Sequence, residues 1–402
     1  MREGGGERIS DRRFQQQSGL IGGRVVDIVG RRVKISIMSR CAWTLFSFRA
    51  GLIRALVEDQ YDVIASGSGS DGYGDRVGSC GARFVDVPIS ARALNPWLDV
   101  KLVLAIWRMY RKERPEIVHH FTIKPVIYGS IAARLSRVPR VINTITGLGY
   151  AFTDAGYFVQ WMAMLLYRVA LRGSHFTFFQ NDADYELFVS RGLVDPNRAA
   201  VVPGSGVDIE RFQPIPKDRK SGDQVVFLFV GRLLRHKGIM EYVEAAKLTK
   251  SRNPNIRFEI LGILDERNPS CISEAEMIDA VRSGTVHWHE KRDDVREILS
   301  HADVVVLPSY REGTPRVLLE AGAMGKPVIT TDAVGCRDVV VHGETGLIVP
   351  VRDSQSLAEA CQELAASQAV RERMGIAGRE RIVKIYDERI VLESTIRAYE
   401  QR

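Results

Sequence analysis

Short apolar runs, each the length of one β-strand, recur along the chain and alternate with stretches in which apolar positions return every three or four residues. The first run covers residues 33–38 and is followed by helical spacing through Phe46, Leu52, Ile53, Leu56 and Val57, which predicts a βα unit. Further strand-length runs lie at 61–65, 84–87, 117–121, 138–144, 176–180 and 200–202, with helical period at 98–110 and 158–171. Strands alternating with helices in this way predict a parallel sheet covered on both faces.

Residues 214–223 are polar and carry two prolines and a glycine, the composition of a linker. A second series follows, with strands expected at 225–230, 257–261, 286–289, 304–308 and 327–330 and helices at 239–250, 295–301 and 317–324. Residues 354–368 and 371–402 also read as helices, the second broken near Tyr386 and Asp387. The expected division is a polar, poorly ordered extension over 1–31, a first domain over 32–213, a linker over 214–223 and a second domain over 224–385. A final helix over 386–402 is expected to cross back to the first domain.

The chain has 402 residues, 45% of them apolar and 26% charged, which suits two folded domains and excludes disordered or collagen-like classes. Charge is uneven. Residues 1–211 hold 28 Lys and Arg against 20 Asp and Glu, whereas residues 212–402 hold 28 against 29. A basic first half implies an anionic partner, for which nucleic acid, a diphosphate substrate and an anionic membrane face are the candidates. The five cysteines are scattered and form no C-x-x-C pair, so neither a disulfide framework nor a zinc site is expected, and a reducing cytoplasm fits best. No apolar run is long enough to span a bilayer, and the first residues lack the apolar stretch of a secretion signal.

Two segments carry candidate chemistry. The first is Phe229-Val-Gly231-Arg232-Leu-Leu-Arg235-His-Lys237-Gly238, between an expected strand and an expected helix. Ligands of parallel sheets bind at such strand ends. Gly231 allows close backbone approach, and Arg232 with Lys237 suits a diphosphate; the alternative is a solvated basic turn. In the second segment a strand over 304–308 leads through Glu312-Gly313-Thr314-Pro315 into a helix carrying Arg316, Val317 and Glu320. The mouth of that helix presents unpaired N–H groups that suit a phosphate. Glu320, little more than one turn beyond Arg316, can reach the same cleft and accept hydrogen bonds from ribose hydroxyls. The alternative is that Glu312 favours the helix dipole and Glu320 pairs with Arg316 at i, i+4.

Together these segments, G-R-x-x-x-x-K-G followed by P-S-x-x-E-G-x-P-x-x-x-x-E-A-x-A-x-G-x-P-V, resemble the retaining glycosyltransferases of family four. Those have the GT-B fold, an α/β architecture of two Rossmann-like, doubly wound domains facing across a cleft. Similarity continues through residues 332–338 and 342–350 and covers almost the whole chain after about residue 32. In the first half His119-His120-Phe-Thr122-Ile-Lys124-Pro125, residues 143–149 and residues 203–212 resemble the capsule and lipid-linked-oligosaccharide branch. Members of that branch commonly extend undecaprenyl-diphosphate-linked glycans from nucleotide-activated, often N-acetylated, sugars, as N-acetylgalactosaminyltransferases do.

The resemblance implies that Arg232 and Lys237 neutralise the leaving diphosphate of a nucleotide-sugar co-substrate, most simply UDP-linked. Gly231, Gly313, Thr314, Pro315, Arg316 and Val317 would line the donor site, Glu320 would hold the ribose, and Glu312 would sit beside the donor sugar. Preorganised cations stabilise a departing diphosphate, so no divalent metal and no other cofactor is expected. Where many relatives carry H-x-H, this chain has His119-His120-Phe121; where they carry a Gly-Gly pair, it has residues 40–49 without one. His119 and His120 are candidate catalytic residues, with a buried structural pair as the alternative. Arg49, Thr122 and Lys124 are the acceptor-side candidates, with solvated charge as the alternative for Arg49 and Lys124. The stretches 97–114 and 157–172 mix aromatic with basic residues, as interfacial helices do. The expected partners are therefore a nucleotide sugar, a polyprenyl-diphosphate-linked glycan and the inner face of the cell membrane, with no nucleic acid. A soluble acceptor and a non-catalytic nucleotide-binding module are the competing readings.

Overall fold

The computed structural model describes residues 32–90, 96–148, 157–216, 224–266, 268–289 and 292–401. The expected extension over 1–31, Gly149 and most of the expected linker, 217–223, lie outside them. The first series runs β1 (Lys34–Cys41), α1 (Ala42–Glu58), β2 (Asp62–Ser68), α2 (Gly74–Gly78), β3 (Arg83–Asp86), α3 (Pro96–Glu113) and β4 (Ile117–Phe121). A π-helical turn (Pro125–Gly129) leads into α4 (Ser130–Leu135), β5 (Arg140–Ile145), α5 (Tyr157–Leu171), β6 (Phe176–Phe179), α6 (Asp182–Ser190) and β7 (Ala199–Val201). The second runs β8 (Val225–Val230), α7 (Ile239–Arg252), β9 (Ile256–Leu261), α8 (Glu274–Arg282), β10 (His287–His289), α9 (Arg296–His301), β11 (Val304–Leu307) and α10 (Arg316–Ala323). It continues through β12 (Val328–Thr331), α11 (Cys336–Val339), β13 (Gly346–Val349), α12 (Ser354–Ala366), α13 (Gln368–Ile385) and α14 (Glu388–Glu400).

The strands form two sheets, ordered β3-β2-β1-β4-β5-β6-β7 and β10-β9-β8-β11-β12-β13, with every strand pair parallel. Central strands such as Val304–Leu307 are buried throughout because helices cover both faces, which is why they read as unbroken apolar runs. In each sheet the order reverses once, between β1 and β4 and between β8 and β11. Such switch points open a crevice at the carboxyl ends of the strands. His119 and His120 lie in β4 itself, and the other candidate site residues follow one of these four strands.

Element ends depart from expectation for local reasons. The first helix begins at Ala42, earlier than the apolar spacing indicates, because the Thr44 hydroxyl takes up the Cys41 N–H at 3.3 Å and closes the first turn. The strand expected from 138 starts at Arg140, since Pro139 has no N–H to give a ladder. Helices α2, α4, α6, α8 and α11 and strand β13 are additional to the expected elements.

Each face of the first sheet has its own core. One gathers Ile35, Leu45, Leu52, Ile53 and Val63 with Val391, Ala398 and Tyr399 of α14; the other lies under α3, α4 and α5. The last helix therefore packs on the first lobe rather than on the second. Arg140 Nη1 donates to the carbonyls of Ala398 and Tyr399 at 3.2 and 2.7 Å, and the Tyr399 hydroxyl is hydrogen-bonded to His119 Nδ1 at 2.6 Å. Replacing Tyr399 by Ala should lower stability by roughly 3–5 kcal/mol, the usual loss for a buried aromatic, seen as a lower urea midpoint.

Candidate donor site at the two switch points

Strand β8 delivers Gly231, whose N–H donates to Leu261 O at 3.0 Å. Arg232 turns aside and pairs with Asp265 at 2.9 Å. A 3₁₀ turn over Arg235–Lys237 then closes on Gly238, which has φ +75°. A Cβ there would lie 2.0 Å from Pro308 O, so only glycine lets the β8 loop lie flat against the β11 loop. Tyr310 N–H donates to His236 O at 2.9 Å, the Ser309 hydroxyl lies 3.1 Å from the same oxygen, and these contacts hold the two loops together.

That lock places Lys237 against Glu312 in an ion pair, while Ser309 Oγ donates to the same carboxylate at 2.7 Å. Glu312 is also tied through its own N–H to Val334 O at 2.9 Å. Beyond it, Gly313 is pressed between the lobes: a Cβ would stand 2.2 Å from Thr146 O. The Thr314 hydroxyl donates to Gln180 O at 2.8 Å. Pro315 occupies the cap position of α10, leaving the N–H groups of Arg316 and Val317 without intrahelical acceptors. Arg316 Nε meets Glu320 at 2.9 Å. Burial raises the Glu320 carboxyl above the usual range, and Arg316 partly offsets this.

The structure thus brings Lys237, Glu312, Gly313 and Thr314 together at one helix mouth, with Arg316 and Glu320 joined one turn further on. Arg232, directed at Asp265, is not paired with either glutamate. In the first lobe His119 and His120 are fully buried. His119 holds Tyr399 and Thr144, the latter at 2.7 Å; His120 holds Tyr110 and Asn143, both at 2.9 Å. Both ring nitrogens of each are occupied, the arrangement of the buried structural pair weighed as the alternative. Burial drives both below the usual histidine range, His120 to about 4. Thr122, at φ +71°, has a buried hydroxyl with no hydrogen-bond partner among the described residues. Lys124 pairs with Asp99 at 3.2 Å. Arg49 is only 7% exposed and lies over the Phe121 ring at 4.0 Å, so it is not the solvated charge weighed as its alternative.

Several residues that position the site were not read from the sequence. Asp265 and Ser309 are two. Asp184, fully buried, forms an ion pair with Arg311 across the lobes. Tyr73 and Arg76, the latter at 2.8 Å, meet Asp293 on the other side of the crevice. The Asn181-x-x-Asp184 helix cap was the available signal for one of these. Among the described residues no group of three or more His, Cys, Asp and Glu side chains is arranged to hold a metal ion, and no helix is long and apolar enough to cross a membrane.

Comparison with known proteins places residues 211–381 in the family described as glycosyl transferases group 1 and residues 48–204 in the glycosyl transferase 4-like domain. An N,N'-diacetylbacillosaminyl-diphospho-undecaprenol α-1,3-N-acetylgalactosaminyltransferase of Campylobacter jejuni is 26% identical, over 92% of this chain and 99% of its own. A UDP-Gal:α-D-GlcNAc-diphosphoundecaprenol α-1,3-galactosyltransferase of Escherichia coli is 30% identical, over 68% of this chain and 72% of its own. Among solved structures, the Anabaena protein HepE with UDP and glucose superposes with a TM-score of 0.75 at 16% identity, covering 92% of this chain and 100% of its own. The two-sheet GT-B fold is thereby shown.

The buried histidines set a pH dependence. In the folded chain His120 stays neutral down to about pH 4, whereas unfolded it takes up a proton near 6.5. Its contribution is full above 6.5 and is lost as pH falls toward 4, by roughly 3 kcal/mol. Thermal unfolding from pH 7.5 to 4.5 should therefore show a weaker acid-side decline in His120→Gln than in the wild type.

Proposed function

The chain belongs to the family-four, group 1 glycosyl transferases, and on that premise we propose that it moves a hexose or N-acetylated sugar from a nucleotide diphosphate, most simply UDP, to a polyprenyl-diphosphate-linked glycan. The observation that carries this reading is the Lys237 and Glu312 pair held by Ser309 at the open mouth of α10. A donor diphosphate would take over Lys237, draw Arg232 from Asp265, and receive the free N–H groups of the helix mouth. Those donors face the negative charge that grows as the nucleotide departs, and being already in place they lose little in reorganisation. Glu312, released from Lys237, would sit beside the anomeric carbon as it becomes positive. Glu320 would share its carboxylate between Arg316 and the ribose hydroxyls. The two relatives whose names specify undecaprenol-linked substrates support the acceptor class. In this reading the reaction needs no divalent metal.

A second observation supports work at a membrane face. Helix α4 packs between α3 and α5, and the three together expose Trp97, Val100, Leu104, Leu135, Trp161 and Leu165. Lys101, Arg108, Arg134, Arg168 and Arg172 are exposed around them, while Asp99 is buried and Glu113 is paired with Arg83. Apolar rings flanked by unopposed cations suit the surface of an anionic bilayer.

Purified protein given nucleotide sugars and extracted polyprenyl-diphosphate glycans should label the lipid, with or without chelator. Label confined to soluble sugars, or nucleotide binding without any transfer, would refute the acceptor or the activity. Lys237→Ala should lower kcat by roughly 10²–10³-fold, and Glu320→Ala should mainly raise the donor KM. The double variant Trp97→Ser, Trp161→Ser should sediment less with anionic vesicles than the wild type.

A further inference from the structure

A cavity of ≈ 50 Å³ lies where α1, the connection after β7, the start of α10 and the start of α14 meet. By this measure it has room for a few waters or one tetrahedral oxyanion. Its lining includes neither Lys237 nor Glu312 and shares Arg316 with the candidate donor site. Four guanidinium side chains line it, those of Arg49, Arg54, Arg211 and Arg316, against the carboxylates of Asp208 and Glu388.

The acids do not balance this charge. Two carboxylates face four guanidiniums; Asp208 also accepts from the backbone N–H groups of Glu210 and Arg211 at 3.0 and 2.9 Å, and burial raises the Glu388 carboxyl, an effect that Arg316 and Arg54 partly offset. Arg49 is more than nine-tenths buried yet makes no hydrogen bond or ion pair with any described residue. It lies over the face of the Phe121 ring at 4.0 Å. Burial, and then the nearness of Arg316, lower it from the ordinary arginine value to about 9. Arg316 spends Nε on Glu320 and lies 5.6 Å from the Phe48 ring of the first lobe.

A buried guanidinium without an ion-pair partner among the described residues, facing a second one across an open cavity lined by four guanidiniums and two carboxylates, is an arrangement that an incoming anion would complete. We propose that this cavity binds a phosphate-type oxyanion, held between Arg49 of the first lobe and Arg316 of the second so that the ligand ties the lobes together. Planar guanidiniums match the paired oxygens of such a group. The same chemistry is offered by a free phosphate or pyrophosphate ion and by the diphosphate of a prenyl-linked acceptor. Only the second source rests on the transferase reading given above.

The test is thermal unfolding of the full chain at constant ionic strength, titrated with sodium phosphate and with pyrophosphate. The wild type should show a saturable rise in Tm, since a ligand of the folded state stabilises it by mass action. In Arg49→Met that response should weaken at least tenfold, while Lys237→Ala should keep it and lose its response to UDP instead. Ser205 also lines the cavity, and Ser205→Asp, which puts a carboxylate inside, should raise Tm without ligand and abolish the phosphate response. This second variant decides the matter if Arg49→Met does not fold. Farnesyl diphosphate that displaces pyrophosphate from the wild type would name the prenyl diphosphate as the source, and failure to displace it would name the free ion; either upholds the site. A pyrophosphate response lost in Lys237→Ala but kept in Arg49→Met and Ser205→Asp would overturn it. No sugar transfer is read out, so this result stands apart from any failure of the proposed activity.

Discussion

The ion pair between Lys237 and Glu312 is the constraint on which the site depends, because the two charges come from strands on opposite sides of a switch point. Each is mostly sheltered from water, and neither is cheaply left alone there. The backbone bond from Tyr310 N–H to His236 O and the Ser309 hydroxyl beside it hold the loops in register, and the missing side chain at residue 238 lets them approach. The mouth of α10 is therefore held in shape by the protein's own bonds, with Lys237 paired to the Glu312 carboxylate.

Much of this was legible in the sequence because parallel strands buried on both faces carry an unmistakable apolar signature, and because residues 229–238 and 304–320 keep glycine, cation and carboxylate at meaningful spacings. Short helices such as Ser130–Leu135 and Cys336–Val339 were not legible, being too brief to show a period. Arg232 shows a different limit. Spacing places it beside the donor mouth, but its actual partner, Asp265, comes from a loop whose course no local pattern reveals. For Arg316 and Glu320 the plain i, i+4 pairing is realised, and a bound ribose would have to share it. The histidine pair was read as ambiguous for good reason, since adjacent strand residues face opposite sides of a sheet. Only the tertiary structure supplies the hydroxyl and amide partners that fill both rings.

The lobes meet along a seam with two kinds of contact. Near β5, β6 and β7 the approach is tight and partly buried, through Gly313 and the Asp184 and Arg311 pair. Near α2 it is a polar bridge to Asp293 whose charged groups are about half exposed. Exposed pairs are weak and screened by salt, whereas a buried pair resists separation. Any opening of the crevice should accordingly start on the α2 side and pivot about the seam at Gly313.

Helix α14 gives the chain an unusual order of assembly. During synthesis the first lobe leaves the ribosome well before the residues that fill one of its two cores, since Val391, Ala398 and Tyr399 are made only after the entire second lobe. Lobes that mature in sequence usually do so as finished units. Here the earlier one must wait, with a hydrophobic groove beside α1 uncovered and His119 short of a partner, until α14 has been made after the second lobe. Until then that groove is apolar surface of the kind that makes a nascent chain prone to aggregate.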